Sequence, residues 1–252
     1  MSSCNAIASY DSTMQKLLGC LMSVALLAAT GGAAHAPRPL NIVVFGGSGH
    51  IGQRIVHEAL ERGHHVTVVV RAPAEFTEQH AGLHVLQGNV LDAAGVARTI
   101  AGQDVVVNAV AFRKPAPDPG AYRRAGEILV TAMRQLGSKA ALLIVVGGAG
   151  SLERSPGVLV ADSIPAAFRA EVLGQKDALD YYRTVSDVRW TYFSPAESIV
   201  PGTRTGKFRL GGDQLVADSH GVSRISMEDY AIAVLDEAEK PAHLHKRFTI
   251  GY

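Results

Sequence analysis

The stretch Leu40-Asn41-Ile42-Val43-Val44-Phe45 runs directly into Gly46-Gly47-Ser48-Gly49-His50-Ile51-Gly52, and Gln53 to Leu60 continue at helical spacing. A strand, a glycine turn and a helix in that order form the phosphate-gripping corner of a nucleotide-binding βαβ unit. Gly46 is assigned the tight turn at positive φ, Gly49 a side-chain-free wall where pyrophosphate can approach, and Gly52 the close packing of helix on strand. The helix N-terminus offers unpaired N–H groups to the anion. Ile51, Ile55, Val56, Ala59 and Leu60 give the helix an apolar face, Gly63 ends it, and His65 to Val70 follow as a second strand.

Further along, His84 to Leu86 read as a short third strand and Asp92 as the cap of a helix through Ile100. Asp104 to Val110 form a buried fourth strand, and the proline-rich Lys114 to Gly120 break precedes a helix from Ala121 to Leu136. Ala141 to Val146 make a fifth strand, Ala170 to Val185 a helix and Trp190 to Phe193 a sixth strand. Ser226 with Asp229 opens a last helix before a final strand, Arg247 to Ile250. Apolar runs alternating with helical patterns require a parallel sheet covered on both faces. The expected fold is therefore α/β, a Rossmann-like doubly wound parallel sheet flanked by helices with a small C-terminal cap. Residues 37–252 read as one domain, its cap formed mainly by 150–225, and the stretch from Gly202 to Ser226 is expected over the carboxyl edge of the sheet.

A formal net charge of +1, with no lysine/arginine run, gives no reason to expect nucleic acid. Both cysteines, Cys4 and Cys20, precede the folded region, so no thiol nucleophile or disulfide is available within it. The ten histidines form no metal-ligand spacing, and no metal is expected. Residues 1–36 read as a signal-peptide-like extension: Leu17 to Ala29 follow Lys16 as an apolar h-region and lead to the small-x-small site Ala34-His35-Ala36. That points to an exported or periplasmic protein, with a cytoplasmic one bearing an apolar extension as the alternative. The segment is too short for a stable membrane span.

A carboxylate at the end of the second strand would bind a ribose 2′-hydroxyl, but Arg71 stands there. A guanidinium attracts a 2′-phosphate and grips it in a fork, so NADPH is the expected cofactor, with NADH possible. The competing reading makes Arg71 a solvated turn residue. Asn89, with Val90 beside it, is placed near the adenine, and Ala109-Val110-Ala111 along the inner groove. Ligands collect outside the carboxyl ends of strands, which puts Gly147, Gly148, Ser194, Pro195 and Ala196 near the nicotinamide.

The Gly-x-x-Gly-x-x-Gly spacing is a variant found in short-chain and extended dehydrogenase/reductases. With it, Val70-Arg71, Gln87-Gly88-Asn89-Val90, Val145 to Leu152, Ser194-Pro195-Ala196, Arg204 to Asp213 and Ser223 to Ser226 resemble the NADH-flavin reductase-like family of atypical short-chain dehydrogenase/reductases. These are related to the flavin reductase that also acts as a biliverdin reductase, and the resemblance covers nearly everything from Leu40 to Tyr252. It implies hydride transfer from a reduced nicotinamide to FMN, riboflavin or a similar conjugated acceptor, the flavin entering as a substrate and not as a tightly bound group.

Two departures matter. No Tyr-x-x-x-Lys pair occurs, so the usual proton relay has no residues here, and Ala196 stands where the flavin/biliverdin reductase carries a histidine after a proline. A flavin N5 accepts hydride from a stacked nicotinamide without protein help, whereas a ketone needs an acid for its growing alkoxide. A flavin-like acceptor fits a chain with no evident acid, and no catalytic residue is assigned; Ser151 reads as a substrate contact or simply as part of a turn. The alternative is a non-catalytic NADP-binding sensor. Sugar-nucleotide epimerase chemistry would again require the missing tyrosine and lysine.

Overall fold

Strands that read as unbroken valine and isoleucine runs need cover on both faces, and the computed structural model supplies it. It describes residues 38–112, 118–137 and 140–252, and residues 39–252 form one compact unit. The signal-like segment 1–36 lies outside the described residues, as does most of the expected 114–120 break. In chain order the strands are β1 (Asn41–Phe45), β2 (His65–Val70), β3 (Leu83–Gln87), β4 (Val105–Asn108), β5 (Leu142–Val146), β6 (Glu153–Ser155), β7 (Val158–Leu159), β8 (Trp190–Ser194), β9 (Ser198–Val200), β10 (Arg209–Gly211), β11 (Arg224–Ser226) and β12 (Lys246–Gly251). The helices are α1 (His50–Glu61), α2 (Ala93–Ile100), α3 (Gly120–Leu136), α4 (Ala166–Arg183) and α5 (Met227–Glu239).

Eight strands form the main sheet in the order β10-β12-β8-β5-β4-β1-β2-β3, parallel except for the antiparallel edge strand β10. The order reverses between β1 and β4, so their carboxyl ends bound a crevice. On one face α1 and α5 pack Ile55, Val56 and Val234 against Val44, Ile144 and Phe193. On the other, α2, α3 and α4 pack Ile100, Leu129, Met133 and Leu179 against Val43, Val106 and Trp190. The expected doubly wound parallel sheet is therefore the fold. Among the described residues no helix is long and apolar enough to cross a membrane.

Local signals largely held. Gly63 adopts φ +78° after α1, where its N–H donates to Leu60 O (2.9 Å), and Ser226 Oγ accepts the Asp229 N–H at 3.0 Å to cap α5. Asp92 occupies the N-cap of α2, but its side chain makes no capping bond. The fourth strand ends at Asn108 and not at Val110, because the Asn108 side-chain oxygen takes the Val110 N–H (3.4 Å) and turns the chain off the sheet. Helix α4 begins at Ala166, four residues before the expected start at Ala170, directly behind Pro165. Proline fits there because first-turn N–H groups need no intrahelical partner.

Gly202 to Ser226 divides into three parts. The 202–208 strap is held on the helices, β10 extends the sheet edge, and β11 pairs with β9. Arg204 reaches Glu58 of α1 with two 2.8 Å bonds, while buried Asp229 accepts the N–H groups of Thr205 (2.7 Å) and Gly206 (2.8 Å) and the Tyr252 hydroxyl (2.7 Å). The Arg-Thr-Gly-Lys signature therefore serves to tie the strap down. Burial alone would raise the Glu58 carboxyl, yet Arg204 and Arg62 outweigh it and hold it below the ordinary value. Asp229 is likewise lowered, burial being outweighed by Thr205, Gly206 and Tyr252.

A carboxylate depressed in the folded state contributes stability that is complete above its unfolded pKa and lost as pH falls through the folded one. The urea midpoint is expected to hold from neutrality to about pH 5 and to fall steadily below about pH 4. A midpoint unchanged down to about pH 3 would contradict these assignments.

Candidate dinucleotide site

At the end of β1 the chain turns at Gly46, φ +82°, where an added Cβ would sit 2.7 Å from the Ala109 carbonyl oxygen. Gly47 points the other way: a Cβ there would meet Val68 Cγ2 at 1.9 Å, so this glycine is required by packing against β2. Gly49 is the extended N-cap of α1, and its N–H donates to Gly46 O at 3.0 Å. Gly52 brings α1 onto the loop, its Cβ position lying 2.2 Å from Gly46 O. No side chain caps α1 and no acid stands in its first turn. Its N-terminal N–H groups and positive dipole end are therefore presented to an anion. Ser48 and His50 are exposed beside them, and Ile51 is half-buried against the core.

The turn opens into a groove of about 610 Å³ lined by Gly46, Ser48, Gly49, Arg71, Asn89, Val90, Val110 and Ala111 among the expected residues. Arg71 stands exposed at the end of β2, its carbonyl accepting Gln87 Nε2 at 3.2 Å. The Asn89 side-chain oxygen accepts the Leu91 N–H at 3.0 Å, tightening the turn that carries it. Phe45, Val69, Val70, Gly88, Leu91, Phe112 and Asp118 also line the groove. Several of these could have been found from their position at or just beyond the carboxyl ends of β1, β2, β3 and β4.

The expected nicotinamide-side residues lie differently. Gly147 and Gly148 do follow β5, Ser194 ends β8 with Pro195 and Ala196 just beyond it, and Gly147 N–H donates to Phe193 O at 2.9 Å, but none lines the groove. Ser194 and Ala196 are almost completely buried, and Pro195 is buried between them. Added Cβ atoms at Gly147, Gly148 and Gly150 would meet Tyr192 at 2.0 Å, Gln175 Oε1 at 1.7 Å and Val172 at 2.1 Å. The Gly-Gly-Ala-Gly run is the floor on which α4 rests. Ala109 is half-buried and backs Gly46, while Ser151 Oγ accepts from buried Arg247 at 3.3 Å, a structural bond and not an open substrate contact.

Sequence reasoning passed over Tyr122. Its ring stands edge-on to Phe112 at 5.0 Å, its oxygen accepts the Phe112 N–H at 3.2 Å, and its hydroxyl donates to Glu171 Oε1 of α4, also at 3.2 Å. Burial, with the Glu171 charge adding to it, pushes the phenol above its ordinary value. Tyr182 of α4, by contrast, is wholly buried in the core.

A glycine turn feeding an uncapped helix at the switch point of a doubly wound sheet defines a Rossmann-type, NAD(P)-binding protein. Residues 46–238 match the family described as NAD(P)H-binding, and the chain belongs to that family. Similar solved structures include a candidate exported protein from Burkholderia pseudomallei, 39% identical with a TM-score of 0.75, covering 84% of this chain and 100% of that one. A candidate epimerase from Bacteroides thetaiotaomicron is 34% identical with a TM-score of 0.77, covering 85% of this chain and 98% of that one. A candidate NADH-flavin reductase from Streptococcus pneumoniae is 29% identical with a TM-score of 0.75, covering 84% of this chain and 99% of that one. The resemblance to atypical short-chain dehydrogenase/reductases is borne out, and the chain is oxidoreductase-like with a nicotinamide dinucleotide as its cofactor.

Proposed function

We propose that the protein is an NADPH-dependent oxidoreductase that passes hydride to FMN, riboflavin or a similar flat, conjugated acceptor. The observation that carries this reading is the pairing, in one groove, of the uncapped α1 N-terminus with Arg71 at the end of β2. The helix end suits a pyrophosphate, and the guanidinium suits a 2′-phosphate. When bound, the reduced nicotinamide supplies the hydride. The chain would supply position: Gly46, Ser48 and Gly49 would hold the phosphates, Asn89 and Val90 would flank the adenine, and Val110 with Ala111 would line the inner part of the groove.

The flavin reductase description of the Streptococcus pneumoniae structure supports this acceptor class. The epimerase description of the Bacteroides thetaiotaomicron structure has no matching acid–base pair here, since Tyr-x-x-x-Lys is absent. Steady-state oxidation of NADPH with FMN, riboflavin and quinones tests the reading. Turnover well above the acceptor-free rate is expected with at least one of them. Tight NADPH binding with no turnover would make the protein a dinucleotide sensor instead.

A further inference from the structure

The groove extends to both sides of β1, and the charged residues that line it differ in sign from one side to the other. Toward β2 and β3 it is lined by Arg71 and Asn89, and beyond β4 by Ala111, Phe112 and Asp118. The Asp118 N–H donates to Phe112 O at 3.0 Å, which fixes the acid beside Phe112. Asp118 directly precedes Pro119, the N-cap of α3, where the helix dipole favours a carboxylate. Arg124 of α3 donates from Nη2 to Asp118 Oδ2, and the carboxyl group stays about half exposed on the groove. A carboxylate has about four acceptor positions, so one bond to Arg124 leaves others for a ligand.

A doubly wound sheet lays the two halves of a dinucleotide across the reversal of strand order, with the pyrophosphate at the glycine turn between them. With the 2′-phosphate of the adenosine half on Arg71, the second ribose falls on the β4 side. That ribose carries two free hydroxyls, and a carboxylate is the side chain suited to accept from them. We propose that Asp118 accepts hydrogen bonds from the ribose hydroxyls of the nicotinamide half, so that the groove matches its one phosphorylated ribose with a guanidinium and its unphosphorylated ribose with a carboxylate. This rests on the NADPH reading above. A bare acid would repel a polyanionic ligand; Arg124 offsets that charge while leaving the carboxylate able to accept. Because the second ribose is the same in NADPH and NADH, Asp118 strengthens both alike.

Calorimetric titration of native protein, Asp118→Ala and Asp118→Asn with NADPH, 2′-phospho-ADP-ribose and adenosine 2′,5′-bisphosphate tests the assignment. The first two ligands carry the second ribose and the third does not. In Asp118→Ala those two are expected to bind about tenfold more weakly, the size of one charge-assisted hydrogen bond, while the bisphosphate stays within about twofold. Asp118→Asn keeps an acceptor oxygen without the charge, and a loss of about threefold is expected for the same two ligands. An exposed ion pair adds little to stability, so both variants should fold as the native protein does. Equal weakening of all three ligands would show a merely structural acid and overturn the proposal. NADPH binding that is unchanged or tighter in Asp118→Ala, the result if the acid only repels phosphate, would overturn it too. Failure of the native chain to bind any of the three would overturn the NADPH reading along with it.

Discussion

Replacing Arg71 by glutamate is expected to weaken NADPH binding about 100-fold while leaving NADH within about threefold. Arg71, just after β2, lines the groove, and a bidentate charge-assisted contact to phosphate is worth about 3 kcal/mol, or two powers of ten. Glutamate removes that contact and sets a like charge against the 2′-phosphate, whereas the 2′-hydroxyl of NADH can donate to the new carboxylate. Isothermal titration of both variants with both dinucleotides measures the change. Because Arg71 is exposed, the substitution should leave the fold intact, and both proteins should unfold in one cooperative transition. An unchanged ratio of NADPH to NADH affinity would remove the phosphate assignment.

Gly52→Val is expected to cost about 3 kcal/mol and to lower the melting temperature by about 6–12 °C. Two effects compete at this helical position. A side chain recovers up to about 1 kcal/mol of helix propensity over glycine. Against that, the Cβ would lie 2.2 Å from the Gly46 carbonyl oxygen, and a backbone atom inside a tight turn cannot swing aside. The clash wins, α1 is pushed off the loop, and the N–H groups that face the groove move with it. Differential scanning calorimetry and NADPH titration should therefore fail together. Full stability with intact binding would show that helix and loop are less closely packed than described.

The sheet was legible because each central strand is buried on both faces and so spells an unbroken apolar run, as in Ile42 to Phe45 and Leu142 to Val146. The dinucleotide end of the groove was legible for a related reason, since Gly46 and Gly52 are fixed by backbone contacts within a short segment. The opposite end was not. Gly147 and Gly148 look like ligand-facing glycines in sequence, but Tyr192 and Gln175, distant along the chain, occupy the space their side chains would need. Ser194 ends β8 and Ala196 lies just beyond it, yet Ser194 pairs with Thr249 of β12 and Ala196 joins the core cluster of Ile225 and Phe248, so both are buried. Tyr122 and Glu171 carried no local signal, because their pairing depends on how closely α4 rides past Pro119. Arg204 and Thr205 looked like a restrictive signature, and their restriction comes from Glu58 and Asp229 on two different helices.

The central claim is that the groove between β1 and β4 binds NADPH through the α1 N-terminus and Arg71. Calorimetric titration of the native protein with NADPH and with NADH, at one ionic strength, tests it most directly. The account predicts one site per chain, with NADPH bound at least about tenfold more tightly than NADH and its advantage shrinking as salt rises. Absence of binding, or equal affinity for the two dinucleotides, would contradict it.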